Sequence, residues 1–172
     1  PICLRLNIYK LIYIKNMTFE NLTVRTAKDT EIQWINKRYD EVDFIHSNFN
    51  NEIIAIGEIR DSKAGIGRLV KIDSDHFELG GIYVFEPYRK LGVASAIVEF
   101  LLKSAPLNKT IYCIPFEPLV SFYKSFGFKL CIDLDPVPKE LLDKHLWCKE
   151  KYLIVMVKYH LLLIKLKKKK VY

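Results

Sequence analysis

The chain has 172 residues, of which 50% are hydrophobic and 13% aromatic, enough for one domain with a buried core. This composition excludes a largely disordered chain. The formal charge of +7 divides into +3 for residues 1–16, +5 for residues 160–172 and −1 for residues 17–159, and the nearly neutral body argues against a nucleic-acid-binding domain.

The domain is predicted to begin at Met17, where Met-Thr-Phe-Glu-Asn-Leu-Thr-Val-Arg is typical of a domain start. Residues 1–16 are then an N-terminal extension outside the domain. An additional strand or helix packed on the body is the alternative for this segment. The domain is expected to span residues 17–159 and to be followed by a basic C-terminal tail at residues 160–172.

The first half of the domain is predicted to contain a strand, a helix and a β-hairpin. Alternating apolar and polar residues predict a strand at Leu22–Ala27. Apolar residues at helical spacing after Asp29, a candidate N-cap, predict a helix over Thr30–Asp43. A turn around Asp61–Ala64 joins the two predicted hairpin strands, which are Glu52–Ile59 and Ile66–Asp73.

The second half alternates strands with helices. A strand at Phe77–Phe85 leads into a helix over Arg89–Ser104, which Pro106 ends. Gly127 is expected to cap the short helix that follows. The later elements are strands at Thr110–Phe116, Phe128–Asp133 and Tyr152–Tyr159 and helices at Pro118–Phe126 and Pro138–Lys149. This order predicts a single α/β domain with a mixed, mostly antiparallel sheet of about six to seven strands flanked by helices.

The cysteines and the hydropathy pattern bear on compartment and metal content. The four cysteines form no CxxC pair and have no zinc-ligand spacing to the histidines, so we expect no metal and no structural disulfide. No apolar run reaches the about 18–20 residues of a membrane span. Pro1–Asn16 lacks the small-residue cleavage site of a signal peptide. A cytoplasmic protein is therefore expected.

One segment carries the features of a phosphate site. After the strand, a turn at Glu86-Pro87 is followed by Arg-x-x-Gly-x-Ala at Arg89–Ala94. The first turn of a helix has N–H groups without partners and partial positive charge, so it attracts an anion. Gly92 allows a phosphate to approach the backbone, and Arg89 and Lys90 add formal charge. Read alone, the glycine is better explained by close packing of helix on sheet.

Two motifs in order make the interpretation more specific. Val84, Pro87, Tyr88 and Arg89–Ala94 resemble the main acetyl-CoA-binding motif of the GNAT N-acetyltransferase family. Ser-Phe-Tyr-Lys-Ser-Phe-Gly-Phe at Ser121–Phe128 resembles the second cofactor motif of the same family. One helix and one strand separate the two motifs, as in the family. The resemblance covers Leu22 to Tyr159 and implies an acetyltransferase that uses acetyl-CoA as donor and a primary amine as acceptor, by direct attack.

The resemblance also implies where the cofactor binds. The pantetheine arm pairs with the strand before the loop, which makes the backbone of Ile82, Tyr83 and Val84 its partner. The pyrophosphate lies against the backbone of six consecutive residues, with Ser95 adding a hydroxyl: Arg89, Lys90, Leu91, Gly92, Val93 and Ala94. Gly80-Gly81 inside an apolar strand supports a bulge or a close approach by another backbone, and a packing requirement is the alternative.

Two residues are candidates for proton transfer. Tyr123 matches the tyrosine that protonates the departing thiolate in many relatives. Glu78 lies six residues before Val84, where some relatives carry their catalytic glutamate, and is the candidate general base. The alternatives are a core tyrosine and an exposed carboxylate at a strand end. Cys113 is expected to be a core residue, because direct attack needs no covalent intermediate.

Two departures from the family pattern leave a second function open. Phe116 stands where many relatives have an asparagine, and Leu119 stands where a small residue is usual. A non-catalytic acyl-CoA-binding regulatory module is therefore the alternative. Binding of the lysine tail to nucleic acid or membrane ranks last, because the body is nearly neutral.

The acceptor is expected to be a small-molecule or peptide amine. Family position alone assigns Trp34, Tyr39 and Phe44 to its pocket. No nucleic acid is expected as a partner. A homodimer in which the apolar final strand and His160–Leu166 extend the sheet of a second copy stays open.

Overall fold

Residues 22–160 are described in a computed structural model of the chain, and they form a seven-stranded sheet with four α-helices. The strands are β1 Leu22–Thr26, β2 Glu52–Ile59, β3 Ser62–Lys71, β4 His76–Val84, β5 Thr110–Cys113, β6 Lys129–Leu130 and β7 Val157–His160. The α-helices are α1 Ile32–Asp40, α2 Val93–Ser104, α3 Val120–Lys124 and α4 Lys139–Lys151. Single 3-10 turns lie at Asp29–Glu31, Glu86–Tyr88 and Glu117–Leu119.

The strand order in the sheet is β1-β2-β3-β4-β5-β7-β6. β1 is antiparallel to β2, and β7 is antiparallel to both β5 and β6, whereas β4 and β5 are parallel. Parallel neighbours need a crossover connection, and α2 provides it. The prediction of a mixed α/β sheet is confirmed.

Several predicted boundaries are wrong for backbone reasons. The hairpin turn is Arg60-Asp61, not Asp61–Ala64, and both of its residues have positive φ (49° and 61°), as a two-residue turn of the I′ type requires. The first helix stops at Asp40, before Asp43, which is left-handed at φ 53°. Strands β5 and β7 are shorter than predicted, since Phe116 and Ile154 meet only in an isolated bridge.

The described chain divides into two compact units. The first comprises residues 22–69 and 80–104, and the second comprises residues 70–79 and 105–160. In the first unit, α1 buries Ile35 and Tyr39 against aliphatic residues of the sheet, namely Ile54, Ile56 and Ile66. Helix α2 lies against glycines of the sheet, because a Cβ at Gly57 or Gly67 would meet the side chain of Ile97 within 3.2 Å.

The second unit has its own apolar cluster. Tyr112 of β5 and Leu141 of α4 are buried with Val137 and Met156. The start of α4 therefore covers this part of the sheet through Leu141. Within residues 22–160, no helix has the length and apolarity needed to cross a bilayer.

The first two residues of the final strand have a strand on each side, whereas Tyr159 and His160 pair with β5 alone, and the homodimer stays a prediction. Val157 and Lys158 pair with β5 on one side and with β6 on the other. The possible partner segment after His160 and most of the lysine tail lie outside the described residues. Residues 1–16 lie outside them as well, so the domain bounds stay predictions.

Candidate functional site

The loop between β4 and α2 belongs to the first unit and is built around two left-handed residues. Lys90 has φ 64° and Gly92 has φ 83°. These values interrupt the helix that was predicted to start at Arg89, so α2 begins at Val93. Residues 89–92 are loop rather than helix, and the predicted phosphate segment turns tightly just before the helix.

This geometry leaves backbone donors at the N-terminus of α2. The first bond of the helix runs from the Ala96 N–H to the Gly92 carbonyl, at 3.0 Å. The N–H groups from Gly92 to Ser95 precede that bond and have no intrahelical acceptor. The helix dipole adds partial positive charge there. Val93 is 1% exposed, and its side chain lies within 3.1 Å of positions that a Cβ on Gly57 or Gly65 would take. Only the backbone of Val93 can therefore face a ligand.

The formal charges sit at the start of the same loop. The Arg89 side chain is exposed, and its Nε donates to the Val84 carbonyl at 3.3 Å. Lys90 is exposed as well. Both cations remain accessible to an anion bound at the helix N-terminus.

The strand before the loop contains the predicted irregularity. Gly81 has φ 60°, a conformation that breaks the regular extended strand. The pairing of β4 with β5 runs from His76 opposite Thr110 to Glu78 opposite Tyr112 and covers no later residue of β4. Ile82, Tyr83 and Val84 lie beyond this pairing and are half-buried. Their backbone is thus placed as an extended segment leading to the loop.

Packing also requires a glycine at this position. The Tyr39 hydroxyl donates to the Gly81 carbonyl at 2.9 Å, and a Cβ on Gly81 would lie 2.6 Å from the same hydroxyl oxygen. Gly81 therefore agrees with both explanations of the glycine pair, an irregularity in the strand and a packing requirement.

A buried polar cluster adjoins Gly81, and sequence reasoning missed it. We call Tyr39, Ser47, Glu52 and Arg68 the Arg68 cluster. Arg68 Nη1 donates to Ser47 Oγ at 2.8 Å and lies 3.9 Å from Glu52 Oε1, too far for a hydrogen bond. Glu52 Oε2 is buried and has no hydrogen-bond partner among residues 22–160. Burial raises the pKa of Tyr39, so its hydroxyl stays protonated. The only signal in the sequence was a cation inside an apolar strand.

The residues assigned to the acceptor pocket lie together in the first unit. Trp34 meets Phe85 edge to face at a centroid distance of 5.8 Å, and Lys63 Nζ lies 4.1 Å from the Trp34 ring centroid. Phe44 lies 5.9 Å from the Tyr39 ring. Trp34 and Phe44 are half-buried, whereas Tyr39 is fully buried and belongs to the core.

Tyr123 belongs to the second unit and is 5% exposed on α3. Its hydroxyl lies beside the thiol of Cys113, which is buried in β5. Burial raises the pKa of both groups, and each is protonated at neutral pH. Cys113 is a core residue, as expected. A protonated hydroxyl is the form that a proton donor needs.

Glu78 is not the exposed carboxylate of the alternative interpretation. It is 7% exposed, and its two oxygens accept hydrogen bonds from Lys144 Nζ at 2.6 and 2.9 Å. Both side chains lie in the second unit. Glu78 lies opposite Tyr112 in the β4–β5 pairing, and Cys113, which lies beside the Tyr123 hydroxyl, is the next residue of β5, so the four residues are neighbours. Nothing in the sequence pointed to Lys144, because its contact is set by how α4 lies on the sheet.

Other candidate residues are distributed over the surface. Phe116 and Leu119, which depart from the family pattern, are 42% and 45% exposed, and Phe116 packs on the Tyr152 ring. Among residues 22–160, no three His, Cys, Asp or Glu side chains are grouped so as to hold a metal ion.

Comparison with known proteins agrees with this layout. The model of the acetyltransferase (GNAT) family matches residues 13–128. Comparison with curated proteins finds no significant match. Rv2747 from Mycobacterium tuberculosis, solved in complex with CoA and NLQ, is 22% identical with a TM-score of 0.63, covering 81% of this chain and 99% of that chain.

Two further solved structures are similarly related. Naa50 from Arabidopsis thaliana, in complex with the bisubstrate analogue CoA-Ac-MVNAL, is 18% identical with a TM-score of 0.57, covering 81% of this chain and 98% of that chain. ElaA from Escherichia coli is 14% identical with a TM-score of 0.59, covering 81% and 99%. At these identities the structures establish the fold, and the family model establishes membership. The chain belongs to the acetyltransferase (GNAT) family.

Proposed function

We propose that this protein is an acetyl-CoA-dependent N-acetyltransferase that moves the acetyl group to a primary amine by direct attack. The observation that carries the proposal is the turn at Lys90–Gly92, which presents the free N–H groups at the start of α2. Acetyl-CoA supplies an activated acyl group and a diphosphate that needs such donors.

The cofactor-binding residues we propose are those of the first unit. The N–H groups from Gly92 to Ala94 hold the pyrophosphate, and Arg89 and Lys90 contribute charge at its rim. Leu91 and Val93 contribute backbone only, since the Val93 side chain is buried. The backbone of residues 82–84 is the strand edge proposed for the pantetheine arm.

Tyr123 is the proposed acid. The departing thiolate requires a proton, and a phenol whose pKa is raised by burial still carries its proton at neutral pH. The Tyr123 hydroxyl lies beside the Cys113 thiol. Cys113 acts as a partner of that hydroxyl rather than as a nucleophile, because burial keeps the thiol protonated.

Glu78 is the proposed base. An amine attacks a thioester only in its neutral form, so one proton must leave before attack. In the resting protein the Lys144 ammonium occupies both oxygens of Glu78. An acceptor ammonium must therefore displace Lys144 from Glu78, or its proton must reach Glu78 through a water molecule.

The acceptor is a small-molecule or peptide amine. Support for a peptide comes from the bisubstrate analogue bound to the related Naa50, which joins CoA to MVNAL. The half-buried rings of Trp34 and Phe44 are of the kind that contacts an apolar side chain next to such an amine.

A non-catalytic acyl-CoA-binding module is the second candidate. It is favoured by the fact that both oxygens of Glu78 are paired with Lys144 and that Tyr123 is buried. Such a module would bind acetyl-CoA and release no CoA with any amine.

Isothermal titration with acetyl-CoA tests the binding of acetyl-CoA, which both candidate functions require. We expect a single site with micromolar affinity, on the order of −8 kcal/mol. Absence of binding by a folded sample contradicts both. A panel of small-molecule and peptide amines, assayed for release of free thiol, then separates the enzyme from the module.

A further inference from the structure

An amine of the protein itself already occupies the proposed base. Lys144 Nζ lies 2.6 Å from Glu78 Oε1 and 2.9 Å from Glu78 Oε2. A general base must lie within about 2.6–3.2 Å of the group whose proton it removes. Lys144 meets this condition without any substrate, and it is the same kind of group, a primary amine, as the proposed acceptor.

The side chain of Lys144 is reachable, unlike that of its partner. It is 31% exposed, whereas the Glu78 side chain is 9% exposed. Glu78 lies opposite Tyr112, the residue before Cys113, in the β4–β5 pairing, and the Cys113 thiol lies beside the hydroxyl of the proposed acid Tyr123. Acid, base and amine therefore belong to one region of the second unit.

We propose that Lys144 is a self-acetylation site, modified by the protein's own acetyl-transfer chemistry. This inference rests on the proposed function. The Lys144 nitrogen forms the new bond to the thioester carbonyl carbon, and the carbon–sulfur bond breaks. Glu78 takes one of the two protons that the ammonium loses. The other reaches the Tyr123 oxygen through water, because Tyr123 has given its own proton to the departing sulfur.

Acetylation changes what Glu78 meets. The ammonium has three donors and a positive charge, whereas the acetylated nitrogen has one donor and no charge. The ion pair that occupies both carboxylate oxygens is lost. Glu78 is then available to the ammonium of an external acceptor. Acetylation of Lys144 therefore changes the same site that catalysed it.

Lys139 is the matched control on the same helix. Its ammonium is ion-paired with Asp143 at 2.7 Å, and its side chain is 89% exposed. Uncatalysed acetylation by acetyl-CoA favours the exposed Lys139, whereas catalysed acetylation favours Lys144. The ratio of the two modifications therefore separates the two origins.

The experiment incubates the full chain with acetyl-CoA and measures acetylation at both lysines by peptide mass spectrometry, folded and in urea. We expect the ratio of Lys144 to Lys139 labelling to be about 100-fold higher in the folded protein, the contribution of positioned acid and base groups. Tyr123→Phe should lower that ratio, and Lys144→Arg, which keeps a cation on Glu78, should remove the main product. A folded ratio no higher than the unfolded one overturns the proposal.

The amine panel, run on the same preparation, judges the proposed function separately. Release of thiol with an external amine, together with no excess label on Lys144, overturns the self-acetylation alone. If the protein releases no thiol, carries no excess label on Lys144 and does not bind acetyl-CoA, both the self-acetylation and the proposed function are overturned.

Discussion

The hydroxyl of Tyr39, in α1, donates a 2.9 Å hydrogen bond to the carbonyl of Gly81, the left-handed residue of β4. The bond is partly buried, and it holds the strand interruption that precedes the proposed cofactor segment. A tyrosine far away in sequence thus fixes the backbone on which the pantetheine arm is proposed to lie.

Tyr39→Phe removes this donor and leaves the Gly81 carbonyl without it. We expect the free energy of unfolding to fall by about 1–3 kcal/mol, the cost of an unsatisfied buried acceptor. Urea denaturation measures it. Tyr83→Phe is the control, since that hydroxyl makes only a 3.4 Å contact with Glu41 and its loss should cost less than about 0.5 kcal/mol. Equal effects of the two changes contradict the account.

Gly92→Ala separates conformational strain from ligand approach. The added Cβ has open space, with its nearest neighbour at 4.0 Å, so only the φ of 83° is unfavourable, at about 1–2 kcal/mol. The affinity for CoA should fall by about tenfold, because the methyl group stands where the phosphate approaches. S-acetylpantetheine, which has no pyrophosphate, is the control ligand. A similar loss of affinity for both ligands would place the phosphates elsewhere.

The Arg68 cluster allows a double-mutant cycle. Arg68→Met leaves the buried Glu52 carboxylate without its cation and should destabilise the fold by about 3–5 kcal/mol. Adding Glu52→Gln should restore most of that loss, because the uncompensated charge is gone. Urea denaturation of the two single variants and the double variant measures the coupling. Additive losses would mean that the two charges do not interact.

The stability should fall at alkaline pH. Burial raises the pKa of the Cys113 thiol above the about 8.5 of an unfolded cysteine, so the folded form keeps a proton that the unfolded form loses. The contribution of this thiol to the free energy of unfolding is fully present below about pH 8.5. Above that pH it falls by about 1.4 kcal/mol per pH unit for one proton. Cys113→Ala should reduce the slope between pH 8.5 and 9.5. An unchanged slope in that variant contradicts the assignment.

The sequence located the local parts of the site and missed the long-range ones. Arg89–Ala94 and the strand before it are contiguous, so their pattern predicts an anion-binding turn directly. The start of α2 was misplaced, because nothing in a lysine predicts the left-handed conformation of Lys90. Lys144 and Glu78 are 66 positions apart in the sequence, and their contact depends on how a helix packs on the sheet.

The same distinction applies to the first unit. Tyr39 is one of the apolar residues whose helical spacing predicted the first helix, and it is fully buried. Its bond to Gly81 and its place beside Arg68 depend on the pairing of distant strands, which periodicity does not encode. The sequence therefore predicts which surfaces are buried, but it does not predict the hydrogen-bond partners of the polar groups on them.

The rate of thiol release from acetyl-CoA in the presence of the amine panel, compared between the wild-type protein and Tyr123→Phe, tests the central claim most directly. The account predicts turnover by the wild type and a kcat lower by about 100-fold in the variant, with an acetyl-CoA Kd that changes by less than about twofold. A wild-type protein that binds acetyl-CoA but acetylates no amine, or a variant as fast as the wild type, contradicts it.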